Sequence, residues 1–344
     1  MKTPLWLKGI TVNAALLASV ALAAAPAHQT PARAEVGQVT IAKQYGLLFL
    51  PLIIMEQNHL MEKQAAKAGI PNLVVKWQRM TGGNVMNEAL ISGNLDFASG
   101  GVPPFLILWS KTQGNLDVKG VAAMDSLPIY LNTRDPSVKT IKDITDKNRI
   151  AMPAAGISIQ AIMLQMAAAK EWGPDQARRL DKNGVTLAHP EAMSQMLSNM
   201  GAIDSHFASP PYNFQELTKP GIHKVLDSYD VLGPATCEVV WTTSKFHKEN
   251  PKVYKAFLDA FQEAIDFINT NKQQAAEIYV KSTDNKESLK DTLEIINHPH
   301  TEYTTTPKGI MKYAAFMKQV GLVNKTPADW KDLFFPEIHA TPGS

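Results

Sequence analysis

Residues 77–108, WQRMTGGNVMNEALISGNLDFASGGVPPFLIL, restrict the fold more than any other stretch of the chain. A run of polar and apolar residues ends at Thr81-Gly82-Gly83-Asn84, and a short amphipathic segment follows and stops at Gly93. Residues 95–98 then lead into Gly100-Gly101, ahead of Pro103-Pro104. The pattern reads strand, glycine turn, helix, and then the same again. In an open α/β sheet, ligands sit beyond the carboxyl ends of the strands, which is where both glycine pairs are expected. Glycine there lets backbone approach a ligand, and the free N–H groups of the following helix favour negative charge. The stretch therefore reads as half of a small-molecule site, although two ordinary strand-to-helix turns would look the same.

At 344 residues the chain exceeds one ordinary core and suits two lobes of normal domain size. Lys2 and Lys8 precede an alanine-rich apolar run over 10–25, and small-residue patterns follow at Ala25-Pro26-Ala27 and Ala32-Arg33-Ala34. That order is a secretory signal peptide over 1–34, with cleavage expected near Ala34. Thr11, Asn13 and Ser19 interrupt the run, which is also short for a bilayer, so a spanning anchor is the weaker reading. Removing Lys2, Lys8 and Arg33 takes the formal net charge from +2 to −1. That balance implies no nucleic-acid or anionic-membrane partner. Cys237 is the only cysteine, so the exported chain has no internal disulfide and its core must stabilise it. A diffusible periplasmic protein fits these features.

After the signal, residues 39–42 read as a strand ending near Tyr45-Gly46, and Pro51 suits the first turn of a helix with Leu52, Met55 and His59 on one stripe. A helical piece over 61–68 stops at Gly69, and 73–77 returns as a strand. Right-handed crossovers between such units make the sheet mostly parallel. Further strands are expected at 118–124, 129–133, 149–152, 185–188 and 202–208, with helical segments at 141–144, 159–170, 175–180 and 190–200, the last closed by Gly201. The passage from Ile91, ISGNLDFASGGVPPF, matches MGAIDSHFASPPY from Met200 in its turns. Two similarly built lobes facing one another follow from that match. Residues 35–131 and 231–344 make up the first, with 231–242 crossing back as a strand, and residues 132–230 make up the second. In the helical C-terminal part, Tyr254, Leu258, Phe261, Ala264, Ile265 and Ile268 recur at helical spacing as core residues.

Taken in order, VTIAKQYG, KWQRMTGGNVMNEALISGNLDFASGGVPPFLI, RIAMPAAGISIQAIML and GAIDSHFASPPY resemble the periplasmic substrate-binding proteins of nitrate/sulfonate/taurine ABC importers, over about residues 39–228. The resemblance implies a type II periplasmic binding protein fold: α/β, two lobes of mostly parallel sheet joined by two crossing strands. Such a protein closes on a small molecule and delivers it to a membrane permease and, through it, the ATPase. The resemblance implies no catalysis, cofactor or metal, and a monomer is expected. Its pocket positions carry over onto Tyr45, Gly46, Gly82, Gly83, Asn84, Gly100, Gly101, Val102, Ser126, Ser158, Ile159, Gln160, and Ser209 to Tyr212. The implied ligand is a small organic anion of the sulfonate, taurine or nitrate kind. Gly156-Ile157-Ser158-Ile159-Gln160 departs from the pattern, since many sulfonate binders have Gly-Ser-Ser and a polar residue there. Fewer hydroxyls then reach the ligand, which counts against a sulfonate, and the alternative is a neutral pyrimidine-like or other aromatic heterocycle stacked on Tyr45 or Tyr212.

Other chemistry is less well supported. In the near match to a hydrolase elbow over 156–160, the bulk of Gln160 crowds the sharp turn that a serine nucleophile needs. His298-Pro299-His300 with Glu302 lacks the helical or strand geometry of a metal site. His189 and His206 read as structural histidines that could also touch ligand. Glu238, if it faced the cleft, would select a cationic or N–H-rich ligand, but a hinge salt bridge is the first expectation. Arg79 could grip an anion in bidentate fashion, with a surface arginine as the default. A pyrimidine-synthase-like enzyme on the same fold would bring a cysteine-rich motif that Cys237 alone cannot supply. If Asn84 and Ser158 cap the helices that follow them, the two helix starts converge on one polar group of the ligand from opposite lobes.

Overall fold

A computed structural model describes residues 35–198, 202–283 and 286–344. Its strands are β1 Gln38–Lys43, β2 Val74–Arg79, β3 Ala98–Gly101, β4 Val118–Ala123, β5 Asp125–Ser126, β6 Tyr130–Thr133, β7 Ile150–Met152, β8 Gly184–Thr186, β9 Ser205–Ala208, β10 His223–Asp227, β11 Glu238–Thr243 and β12 Glu302–Tyr303. β1 pairs in parallel with β2, and a bridge between Ile41 and Phe97 joins β1 to the start of β3. β11 lies antiparallel between β3 and β4, giving the order β2-β1-β3-β11-β4. The second sheet runs β8-β7-β9-β6-β10, with β7 parallel to β8 and β9, and β6 antiparallel to β9 and β10.

Both sheets follow one plan. In each, the fourth strand in the order is the antiparallel one, and in each that strand has just arrived from the other sheet. β6 follows the crossing out of β4, and β11 follows the crossing back from β10. This is the two-lobe type II arrangement, α/β with mostly parallel sheets.

The long helix Pro251–Thr270 closes the first lobe. Tyr254, Phe261, Ala264, Ile265 and Ile268 are buried as their spacing predicts, whereas Leu258 packs only partly buried against the core. Phe97 stacks on Phe257 with ring centroids 4.0 Å apart and meets Phe246 edge-on at 5.1 Å, which ties the sheet to the helix layer. The chain enters the lobe at this helix too. The Glu35 carboxylate accepts from the backbone N–H groups of Lys252 and Val253 at 2.8 and 2.7 Å, covering donors that a helix start leaves free.

Local patterning misplaces several elements. It puts a strand at 95–98 with Gly100-Gly101 as the turn beyond it, but the strand covers Ala98–Gly101 because Gly100 and Gly101 pair with Val239 and Glu238. The return crossing is not one strand over 231–242. Residues Ser228–Leu232 are helical, capped by the Asp227 side chain, Gly233 ends the turn at φ 75°, and only Glu238–Thr243 is extended. The helix expected over 175–180 shrinks to the single turn Pro174–Gln176. Gly201, expected to end a helix, lies outside the described residues.

Candidate functional site

The carboxyl ends of the strands in both sheets frame one small cavity. From the first lobe, Gln44, Tyr45, Leu48 and Phe49 leave β1, Gly82, Gly83 and Asn84 open the helix Gly83–Ile91, and Gly101 and Pro104 open the helix Val102–Thr112. Glu238, the first residue of β11, completes that side. From the second lobe, Pro153, Ala154 and Ile157 lead to Ser158, Ile159 and Gln160 at the start of the helix Ile159–Trp172. His189 opens the helix His189–Ser198, and Ser209 follows β9.

Of the residues singled out in the sequence, Tyr45, Gly82, Gly83, Asn84, Gly101, Ser158, Ile159, Gln160 and Ser209 line the cavity, while Gly46, Gly100, Val102, Ser126 and Tyr212 stand outside its wall. Val102 is buried in the core of the first lobe. Gly46 abuts the other lobe, where an added Cβ would lie 2.6 Å from the Pro210 carbonyl oxygen. Gly100 sits behind the wall, where a Cβ would lie 3.2 Å from both Gly83 Cα and the Trp241 ring. Ser126 belongs to the first crossing, its Oγ 3.1 Å from the Tyr229 hydroxyl. Tyr212 stacks behind His189 with ring centroids 5.5 Å apart. Gln44, Leu48, Phe49, Pro104, Pro153, Ala154 and Ile157 are wall residues that the sequence reading does not reach. Their only signal is adjacency to the expected turns.

The two helix starts differ in how they are capped. Ser158 Oγ accepts from the Ala161 N–H at 3.3 Å, so the helix Ile159–Trp172 has a side-chain cap. Asn84 lies inside its helix, and Gly82 occupies the cap position without a side-chain bond. Ser158→Ala is expected to lower the unfolding free energy by about 0.5–2 kcal/mol, read by chemical denaturation. Unchanged stability would show that the cap is not used.

Behind the second-lobe wall, side chains from four elements form a buried line. His189 Nδ1 lies 2.8 Å from His206 Nε2, and His206 Nδ1 lies 2.6 Å from Glu216 Oε1. Asn132 Nδ2 donates to Glu216 Oε2 at 3.0 Å. With the Glu216 oxygen accepting, His206 Nδ1 donates and its Nε2 accepts from the His189 Nδ1–H, an assignment made from the bonding pattern. His189 Nε2 is then an acceptor on the cavity side, 3.4 Å from Gln160 Nε2, which donates to Ser209 Oγ at 2.9 Å. Burial, and then His206, holds the His189 pKa well below the usual histidine range, so its imidazole is neutral.

Glu238 faces these groups from the first lobe. It is 4% exposed, and its Oε2 has no hydrogen-bond partner. The hinge salt bridge expected for it is not formed among the described residues. Its backbone N–H donates to Asp125 Oδ1 at 3.2 Å, and Asp125 Oδ2 is likewise buried without a partner. Burial pushes the Glu238 carboxyl well above the usual range, and burial followed by the neighbouring Glu238 does the same to Asp125.

Among the described residues, no lysine or arginine belongs to the wall. Arg79 lies over the Tyr45 ring at 5.0 Å, and Lys43 pairs with Glu56. His300 stacks on Tyr229 with centroids 4.1 Å apart, and His298 meets Phe214 edge-on. No cluster of metal-ligating side chains occurs among the described residues. Cys237 is buried, its Sγ donating to the Leu127 carbonyl at 3.3 Å. Among the described residues, no helix is long and apolar enough to cross a membrane.

Solved structures share this fold at low sequence identity. The alkanesulfonate-binding protein SsuA from Xanthomonas axonopodis pv. citri, bound to MOPS, superposes with a TM-score of 0.68 at 17% identity, covering 85% of this chain and 96% of its own. The periplasmic nitrate-binding protein NrtA from Synechocystis gives 0.62 at 17%, covering 83% and 81%. A Candida albicans protein described as having the generic periplasmic binding protein structural fold gives 0.65 at 17%, covering 84% and 92%. No curated protein matches the chain in sequence. Residues 32–281 match the model of the NMT1-like family, and the chain belongs to that family.

Proposed function

We propose that the mature protein is the periplasmic solute-binding component of an ABC importer. In this reading it is a monomer without catalytic activity that captures a small molecule between lobes 35–131 plus 231–344 and 132–230. It then delivers the molecule to a permease and, through it, the ATPase. The cavity walled from both lobes carries the reading. Ligand contacts divided between two bodies are complete only when the bodies close, so binding and closure are linked, and differential affinity for the closed form drives the shift.

An anion of the sulfonate, taurine or nitrate kind would be held by the helix starts at Gly83, Val102 and Ile159, each contributing about 0.3–2 kcal/mol. A second reading, a neutral pyrimidine-like or other aromatic heterocycle, is favoured by a wall that carries Tyr45, Phe49, Gln44, Asn84 and Gln160 but no cationic side chain. A pyrimidine-synthase-like enzyme on this fold has less support. The thiol of Cys237 is buried and burial pushes its pKa well up, which suits packing better than reactivity.

Native mass spectrometry of protein purified from the periplasm tests export and binding together. The expected chain starts at Glu35, whose carboxylate caps the helix Pro251–Thr270, and carries a small molecule released on unfolding. A chain starting at Met1 would remove the export reading. A chain that carries nothing, and takes up nothing from a small-molecule extract, would remove the solute-binding reading.

A further inference from the structure

We propose that the ligand bears an amine or amidine group, and that Glu238 from one lobe and His189 from the other select it by accepting its N–H donors. The inference rests on the solute-binding reading. Glu238 lines the cavity, is 4% exposed, and keeps one carboxyl oxygen without any partner. Buried polar atoms are nearly always paired, so an unpartnered one in a cavity wall is a place where a group of the ligand can bond. Across the cavity, His206 and Glu216 act as positioning residues. They fix the His189 tautomer with Nε2 as an acceptor, and the single contact there is the long 3.4 Å approach of Gln160 Nε2.

Both lobes thus present polar groups that can accept, and among the described residues no lysine or arginine lines the cavity, the guanidinium of Arg79 lying over the Tyr45 ring at 5.0 Å. Burial keeps the Glu238 carboxyl protonated in the empty cavity, and an arriving amidinium offsets that burial and leaves the carboxylate to accept, whereas a carboxylate or sulfonate lacking N–H groups would meet only the protonated Glu238 and would set its oxygens against the His189 lone pair. An amidine supplies several donors in one plane, and Tyr45 and Phe49 give the wall aromatic surface for a flat body. Glu238 would then act as the hinge-side selector, engaged only when the lobes are closed.

Benzamidine and benzoate share one outline and differ in presenting an amidinium or a carboxylate, so calorimetric titration of the full mature protein with each tests the inference. Benzamidine is expected to bind about tenfold or more tighter than benzoate, E238Q to erase that preference, and E238D, which keeps the carboxyl, to retain it. Benzoate binding as tightly as benzamidine, or a preference that survives in E238Q, would overturn the inference and leave solute binding standing. The parent protein alone reports the first of these outcomes even if E238Q does not fold. If neither probe binds, the molecule released from periplasmic protein decides: a compound with amine or amidine N–H groups supports the inference, and an acid without them overturns it. Release of nothing would remove the solute-binding reading, and the inference with it.

Discussion

Gly101→Val is expected to weaken ligand binding about a hundredfold to a thousandfold while leaving each lobe folded. Gly101 has φ −54° and ψ 148°, which any residue adopts, so the substitution strains no backbone locally. The obstacle lies across the cleft. A Cβ on Gly101 would sit 3.2 Å from Ile159 Cβ and 3.4 Å from Ile159 N, both on the other lobe. Alanine asks those atoms to give by a few tenths of an ångström, whereas the two extra methyl groups of valine hold the lobes apart. The same closed arrangement is secured away from the cavity by the Leu47 N–H donating to the Pro210 carbonyl at 2.9 Å and by the His298 and His300 rings on Phe214 and Tyr229. A micromolar ligand is held by about 8 kcal/mol, and losing one lobe's share, about 3–4 kcal/mol, gives the stated factor. Calorimetry with the co-purified ligand reads the affinity, and small-angle scattering reads closure. The parent should contract on binding and the valine variant should not. Parent-like affinity in Gly101→Val would mean that the ligand is held within one lobe.

What the sequence makes legible follows the range of the interaction. Glycine pairs and the repeated turn at 91–105 and 200–212 are local signals, and they mark the two-lobe plan and part of the cavity wall. The antiparallel fourth strand of each sheet is not local, because β11 meets β3 across more than a hundred residues of chain, and that pairing draws Gly100-Gly101 into a strand. The orientation of Glu238 depends on the same register, which places it opposite Gly101 and leaves it without the salt bridge its charge suggests. His189, His206 and Glu216 carry no motif spacing. They meet because the helices His189–Ser198 and Tyr212–Leu217 both pack on β9, and only the folded sheet brings their side chains into line.

That buried line gives the second large expected effect, since His206→Ala is expected to lower the unfolding free energy by about 3–5 kcal/mol. His206 is fully buried and bonded at both ring nitrogens, so truncation leaves the Glu216 Oε1 and the His189 Nδ1–H without partners in a space water reaches poorly. Glu216 keeps only the Asn132 amide, and the lost imidazole adds a cavity. Combining the change with Glu216→Gln should cost less than the sum of the two single changes, because with the histidine gone a neutral amide is easier to leave buried than a carboxyl. The amide nitrogen that Glu216→Gln introduces can also serve the Asn132 Oδ1, which has no partner in the parent. Denaturation midpoints of the parent, both single variants and the double variant measure this coupling. Ligand titration of the folded fraction adds a readout that packing alone would not move: without His206, the His189 ring is no longer held with Nε2 toward the cavity, and affinity falls even where folding is complete. A loss of stability below about 1 kcal/mol, with additive single changes, would show that the line does not act as a unit.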